Sequence, residues 1–542
     1  MRHGILCFLL LTGCADAARR DEVPLFANLG RHHRAVSTSS ERAQRYFDQG
    51  LVLAYGFNRA ESARSFQQAA ALDPGCAMAW WGIAYASGPD INFPMGPEQA
   101  RSAFHAVQRA AAAAARATPV EQALVRAMAA RYAWPNPEDR RPLDLAYAEA
   151  MEQAWLQFPD DPDVAALYAE ALMDLRPWDL WTGDGQPQPG TERILQVLEQ
   201  ALQAHPAHPA LLHFYVHAVE ASPHPEKALA AAGRLSGAVP GAGHLEHMPS
   251  HIYVRVGRYQ DAIDSNRRAV AADAAYLKRS PGSGPYHYYR AHSYHLLSFA
   301  AMMQGSSAVA LAAARDSVAA IPPSALEEIL PFVDGYLTFP MHVLLRFGRW
   351  EDVLREPAPD PKLRVATALW HYARGAALAN LDRVAEAQAE QEALAAAVGA
   401  LAEGDFVGLN PARAVLEVAG RMLAGEIAAR AGGTEAAVGE LRAAAAAEDA
   451  LRYNEPPDWM TPARHALGAV LLNAGRIAEA EAEYREDLAR NPGNGWSLFG
   501  LARCLRARGA EAEAEATERL FQRVWSHADV ELTSSCFCQA GR

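Results

Sequence analysis

The chain has 542 residues, 50% of them hydrophobic and 21% charged, which is the composition of a folded protein and excludes a disordered one. Acidic residues (63) outnumber basic ones (50) and the formal net charge is −13, so the chain lacks the basic surface that a general nucleic-acid binder needs. Runs of Ala interleaved with Glu, Arg, Leu and Gln favour helix, and few windows alternate apolar and polar residues as strands do. The expected fold class is all-α.

The first residues predict an export leader. Arg2 and His3 precede the apolar run Ile5 to Leu11, which is too short to span a bilayer. The following Leu11-Thr12-Gly13-Cys14 resembles the bacterial lipobox. That resemblance implies cleavage before Cys14, lipidation of its thiol, and a protein held at a membrane only through acyl chains. Ala15 after the cysteine, where Asp is absent, implies the periplasmic side of the outer membrane. Residues 1–14 are the leader and 15–42 a linker.

A ruler of 34 residues then organises the chain. Residues 461–494 carry Leu467-Gly468, Leu471, Gly475, Ile477, Ala480, Tyr484 and Pro492, and residues 495–528 again place a glycine, Gly509, at the turn. Near the start, residues 43–76 carry Tyr46, Gly50, Phe66, Ala69 and Asp73-Pro74. In the middle, residues 243–276 carry Gly257-Arg258-Tyr259-Gln260-Asp261-Ala262 and Ala269. Further turns fall at Gly305, Gly348, Asp382-Arg383 and Gly432-Gly433. This pattern resembles the tetratricopeptide repeat (TPR), a helix–turn–helix unit, and implies a right-handed superhelical solenoid. Repeats with insertions are expected over 43–208, histidine-rich repeats over 209–333, further repeats over 334–528, and a cysteine-containing tail over 529–542. Three stretches interrupt the ruler, 88–97, 177–185 and 281–289, and solenoid insertions often lie on the binding face.

The residues best suited to chemistry are histidines. His213 and His217 stand at i and i+4, one helical face, with Glu220 one turn further. His247 and His251 repeat the pair at an offset of 34 residues. The resemblance puts both pairs at groove-lining positions, with His244 at another. His292 and His295 take two such positions in the unit starting at 291, and His342 falls in the next. Imidazoles from adjacent helices can converge on zinc, copper or iron, with a carboxylate completing the site. The expected ligands are His213, His217, Glu220, His244, His247, His251 and His295. Pro249 breaks or starts a helix, so His244 and His247 are expected in a loop before it. Trp80 is expected to pack between helices and Trp81 to face the groove.

In an exported protein Cys536 and Cys538 are expected to be oxidised, with Cys504 one candidate partner in a disulfide that pins the tail to the last repeat; a thiolate metal site is the alternative. No H-E-x-x-H, P-loop or G-x-S-x-G motif is present, so no catalytic residue is assigned. Two functions fit: a scaffold that takes a protein or peptide in its concave groove, or a metalloprotein built on the histidine wall.

Overall fold

The computed structural model describes residues 23–280 and 284–539, so Cys14 lies outside the described residues. Helices follow one another as antiparallel hairpins, each packed on the next. Glu41–Tyr55 pairs with Arg59–Leu72, Arg364–Asn380 with Val384–Gly399, Ala412–Arg430 with Thr434–Asp449, and Ala463–Asn473 with Ile477–Arg490. This is an all-α helical-repeat solenoid. Among the described residues, strand is confined to the two-residue pair Phe406–Val407 and Asn410–Pro411. No helix among them is long and apolar enough to cross a membrane.

The sequence explains where helices begin. Thr118, Asp161 and His208 each cap the backbone of the helix that follows, and a proline, whose missing N–H costs nothing there, comes next at 119, 162 and 209. Eight of the hairpin turns share one geometry. The residue after the first helix adopts the left-handed conformation, and the next N–H bonds back to the helix, as Arg258 does to the Tyr253 carbonyl and Arg476 to Leu471. Glycine fills that place at 257, 305, 348, 432, 475 and 509, as the repeat spacing predicts. Asp382 substitutes in one hairpin, and Phe57 in the first. Gly468 meets a different demand. A Cβ there would lie 2.5 Å from the Tyr484 ring, so only glycine lets the two helices of that hairpin close.

The superhelix curves until its ends meet its middle. Tyr259 donates to the Pro492 carbonyl at 3.1 Å, and the Trp496 indole to the Met302 carbonyl at 2.9 Å. The N-terminal segment is laid across the first repeats, with Val23 accepting from Tyr46 and the Asn28 carbonyl accepting from Gly241. Trp81 is buried against Tyr85, and Trp80 is the more exposed of the pair, held by the Pro74 carbonyl. Helix Ala77–Ser87 is covered on almost every side, so both faces can take an aromatic ring.

Candidate metal centre

The histidines that the repeat spacing aligns do come together. His213 and His217 project from Pro209–Glu220. The next unit opens with a helix broken at Met248-Pro249 into Gly243–His247 and Pro249–Arg255. His244 and His247 therefore ride on a short helix and not in a loop, because Met248 keeps helical dihedrals and Pro249 begins the second piece. The nitrogens of His213, His217 and His244 lie within 4.8 Å of one another, and so do those of His247, His251 and His292. The two triads abut, with His217 and His251 rings 5.8 Å apart and His244 and His247 rings 5.8 Å apart.

Hydrogen bonds fix which nitrogen of each ring is available. His213 Nδ1 bonds the Tyr55 carbonyl at 2.7 Å, which can only accept. His217 Nδ1 bonds one oxygen of Glu220 at 2.7 Å, and His251 Nδ1 bonds the other. His247 Nδ1 bonds Asn266 Oδ1 at 2.6 Å, and the Asn266 amide is oriented by its own donation to the Ala262 carbonyl. Four Nδ1 atoms are thus donors. Their four Nε2 atoms, in neutral rings, carry lone pairs that point into the cluster. His247 Nε2 faces His251 Nε2 at 2.7 Å, and His213 Nε2 faces His244 Nε2 at 3.1 Å. His217 Nε2 is buried with no hydrogen-bond partner among the described residues.

Charge favours neutral rings in most of the cluster. Burial, reinforced by neighbouring imidazoles, holds His213, His244, His247 and His292 well below the ordinary histidine value. Burial also pushes His251 down, but the Glu220 carboxylate outweighs it and leaves His251 above that value. Burial would raise Glu220, yet the two imidazoles bring it down to about 2. A proton on His251 would relieve the 2.7 Å contact. It would leave His213 Nε2 facing only His244, and His217 Nε2 without a partner.

Glu220 stands behind the rings as the acceptor that orients two of them, not among the converging nitrogens. His295 is the clear correction: His292 joins the cluster in its place. His292 shares a helical face with Tyr288, whose ring stacks on it, whereas three residues on the chain has turned toward the next repeat. There His295 stacks on Phe339 and its Nε2 lies 3.3 Å from the Met460 sulfur. A third group, His32, Asp163 and His208, forms an ion-pair network. Arg34 and Tyr55 already bond the Asp163 carboxylate, and a guanidinium 2.9 Å away disfavours a metal cation there.

No signal in the amino-acid pattern points to the Tyr55 carbonyl or Asn266. Phe57 did leave one, because it stands where the repeat calls for glycine. Its ring lies 4.8 Å from that of His213 and 5.1 Å from that of His244, at φ 56°. A left-handed non-glycine residue costs about 1–2 kcal/mol, so the ring is held over the cluster against backbone preference.

The three insertions converge on the same place. Asn92 accepts from the Trp178 indole at 3.0 Å and donates to the Tyr289 hydroxyl at 3.1 Å, while the Trp178 ring stands 5.6 Å from His217. Beyond Trp178 lies a cavity of about 1000 Å³, bounded by Trp181, Arg255, Tyr453, Glu455 and Trp459, with His217 and Glu220 in its wall.

The tail differs from expectation. Cys536 is bonded to Cys538, while Cys504 is a buried free thiol on helix Gly495–Ala507. The tail is held instead by Ser535, bonded to Tyr484 and the His465 carbonyl, and by Phe537 packed edge-on to Trp496.

No family model matches this chain, and no curated protein matches it. Among solved structures, the human IFIT1 dimer with m7Gppp-AAAA is similar at a TM-score of 0.33 and 13% identity, covering 90% of this chain and 91% of that one. The APC/C hetero-tetramer Cut9-Hcn1 is similar at a TM-score of 0.30 and 12% identity, covering 85% of this chain and 76% of that one. Likenesses this distant carry no information about what this chain binds.

Proposed function

We propose that this protein is a helical-repeat metalloprotein whose buried histidine cluster holds a transition metal. The observation that carries the reading is the convergence of Nε2 lone pairs from rings whose Nδ1 atoms are committed to Tyr55, Glu220 and Asn266. Ligating histidines are oriented in this way by acceptors behind them, which fix the tautomer and raise ligand basicity. All-imidazole donors suit copper, zinc, iron or nickel. The cavity at His217 supports access for a small molecule or peptide side chain, so the solenoid serves as the frame for the site and the groove as its approach.

Metal content of the purified chain tests this directly. Wild type should hold a transition metal in at least stoichiometric amount. His217→Ala and His251→Ala should each lower affinity by an order of magnitude or more, with helicity by circular dichroism unchanged. Sub-stoichiometric metal in wild type, or equal affinity in both variants, would reduce the cluster to a polar core. The leader supports export and anchoring through Cys14, and Cys14→Ser should leave the protein unacylated by mass spectrometry.

A further inference from the structure

The cluster is one motif used twice. In each half, an i, i+4 pair is joined by a third histidine from the opening helix of the next unit: His213 and His217 with His244, then His247 and His251, which flank the break at Met248-Pro249, with His292. The halves share a wall of rings, and Glu220 accepts from His217 of one and His251 of the other, tying their orientations together. A single ion has no use for six converging imidazoles. Two ions, each with three, account for all of them.

Ligand chemistry narrows the metal. Paired iron sites between helices draw on several carboxylates, and zinc, which three imidazoles can also hold, has no redox chemistry. Here all six donors are imidazoles, and the one carboxylate at the cluster is bound behind them. Copper(I) adds a single charge per ion and accepts three nitrogen ligands, and copper binds nitrogen sites most tightly among the divalent first-row metals.

Resting on the metal reading above, we propose that the two triads hold a coupled pair of copper ions that takes up dioxygen between them. In that step each copper(I) gives one electron to dioxygen. The O–O bond order falls from two to one, the product is peroxide bound to two copper(II) ions, and no proton moves. The cavity at His217 is the route in, while Phe57 and Trp178 cover the rings on either side.

The test uses the full chain, stripped with chelator and titrated anaerobically with copper(I). Two equivalents per chain should bind. Admitting dioxygen should produce a new near-ultraviolet charge-transfer band and a copper(II) form silent in electron paramagnetic resonance, because the paired spins cancel. His292→Ala should remove one equivalent and make the remaining oxidised copper visible, and His213→Ala should do the same from the other triad. One equivalent in wild type with an ordinary copper(II) spectrum would overturn the pair and leave the metalloprotein reading standing. Two equivalents with no response to dioxygen, or an unchanged silent pair in His292→Ala, would also overturn it. Failure to retain any metal would sink both readings.

Discussion

Two buried histidine systems in the same solenoid are built by opposite rules. In the C-terminal repeats, His465 is surrounded by complete partners: Asp487 takes one ring nitrogen at 2.8 Å and the Arg346 guanidinium meets the other at 2.8 Å. Asp487 itself is satisfied by Asn491, Asn494 and Ser497. In the central repeats, acceptors take only the Nδ1 atoms, and the Nε2 atoms face one another. Burial is equal in the two places, so it does not mark a site. What marks it is that the remaining ring nitrogens turn toward one another and not toward a carboxylate or guanidinium.

The two regions also treat a buried glutamate differently. Glu220 receives two imidazole N–H groups and is brought down to about 2 against the pull of burial. Glu426, in helix Ala412–Arg430, receives an Asn380 amide at 2.8 Å, and burial pushes it up to about 7. A carboxylate held ionised suits a role beside cations. One pushed toward neutrality needs only to be packed.

Substitutions can break this contrast, the largest effect first. Asp487→Ala removes the acceptor shared by His465, Asn494 and Ser497 in the core, and losing one member of such a buried network costs about 3–5 kcal/mol. Urea denaturation should show that loss while metal content stays at the wild-type level. Glu220→Gln should do the reverse. A glutamine can accept from only one of His217 and His251, and its NH₂ opposes the N–H of the other. Removing such an orienting acceptor typically costs roughly 10–100-fold in metal affinity, read by competition against a chromogenic chelator, with little change in unfolding. A large loss of stability with unchanged affinity would place Glu220 in the same class as Asp487.

The smallest effect belongs to Glu426. Its folded-state value lies above the usual one, so between pH 4.5 and about 7 the folded chain keeps a proton that the unfolded chain releases. The stability it contributes is complete below that window and is lost as pH rises through about 7. Glu426→Gln should flatten that part of the pH–stability curve and leave the protein no weaker at pH 8. An unaltered slope would show that Glu426 ionises freely.

Much of this was legible in the sequence because the repeat makes distant positions equivalent. A spacing of 34 residues located the turn glycines and aligned His213 with His247 and His217 with His251 before any coordinates. The ruler failed where the chain departs from it. The insertion before Tyr289 shifts the phase of helix Gly284–Gln304, so the spacing could not decide between His292 and His295. Backbone acceptors such as the Tyr55 carbonyl leave no trace in side-chain identity. The tail depends on which surface it docks against, and Cys504 faces the interior of its own helix packing, out of that dialogue. Insertions were expected on the binding face, but only folding shows that Asn92, Trp178 and Tyr289 from three of them bond in one chain.

Open solenoids melt piecemeal, because each unit touches only its neighbours and an end can fray without disturbing the rest. The contacts from Tyr259 to Pro492 and from Trp496 to Met302 remove that freedom. Fraying the last hairpins here also strips cover from helix Gly284–Gln304, which carries His292, so distant units become thermodynamic neighbours. The array should therefore unfold in a single cooperative transition, and deleting Glu511–Val524 should weaken the centre of the molecule as well as its end.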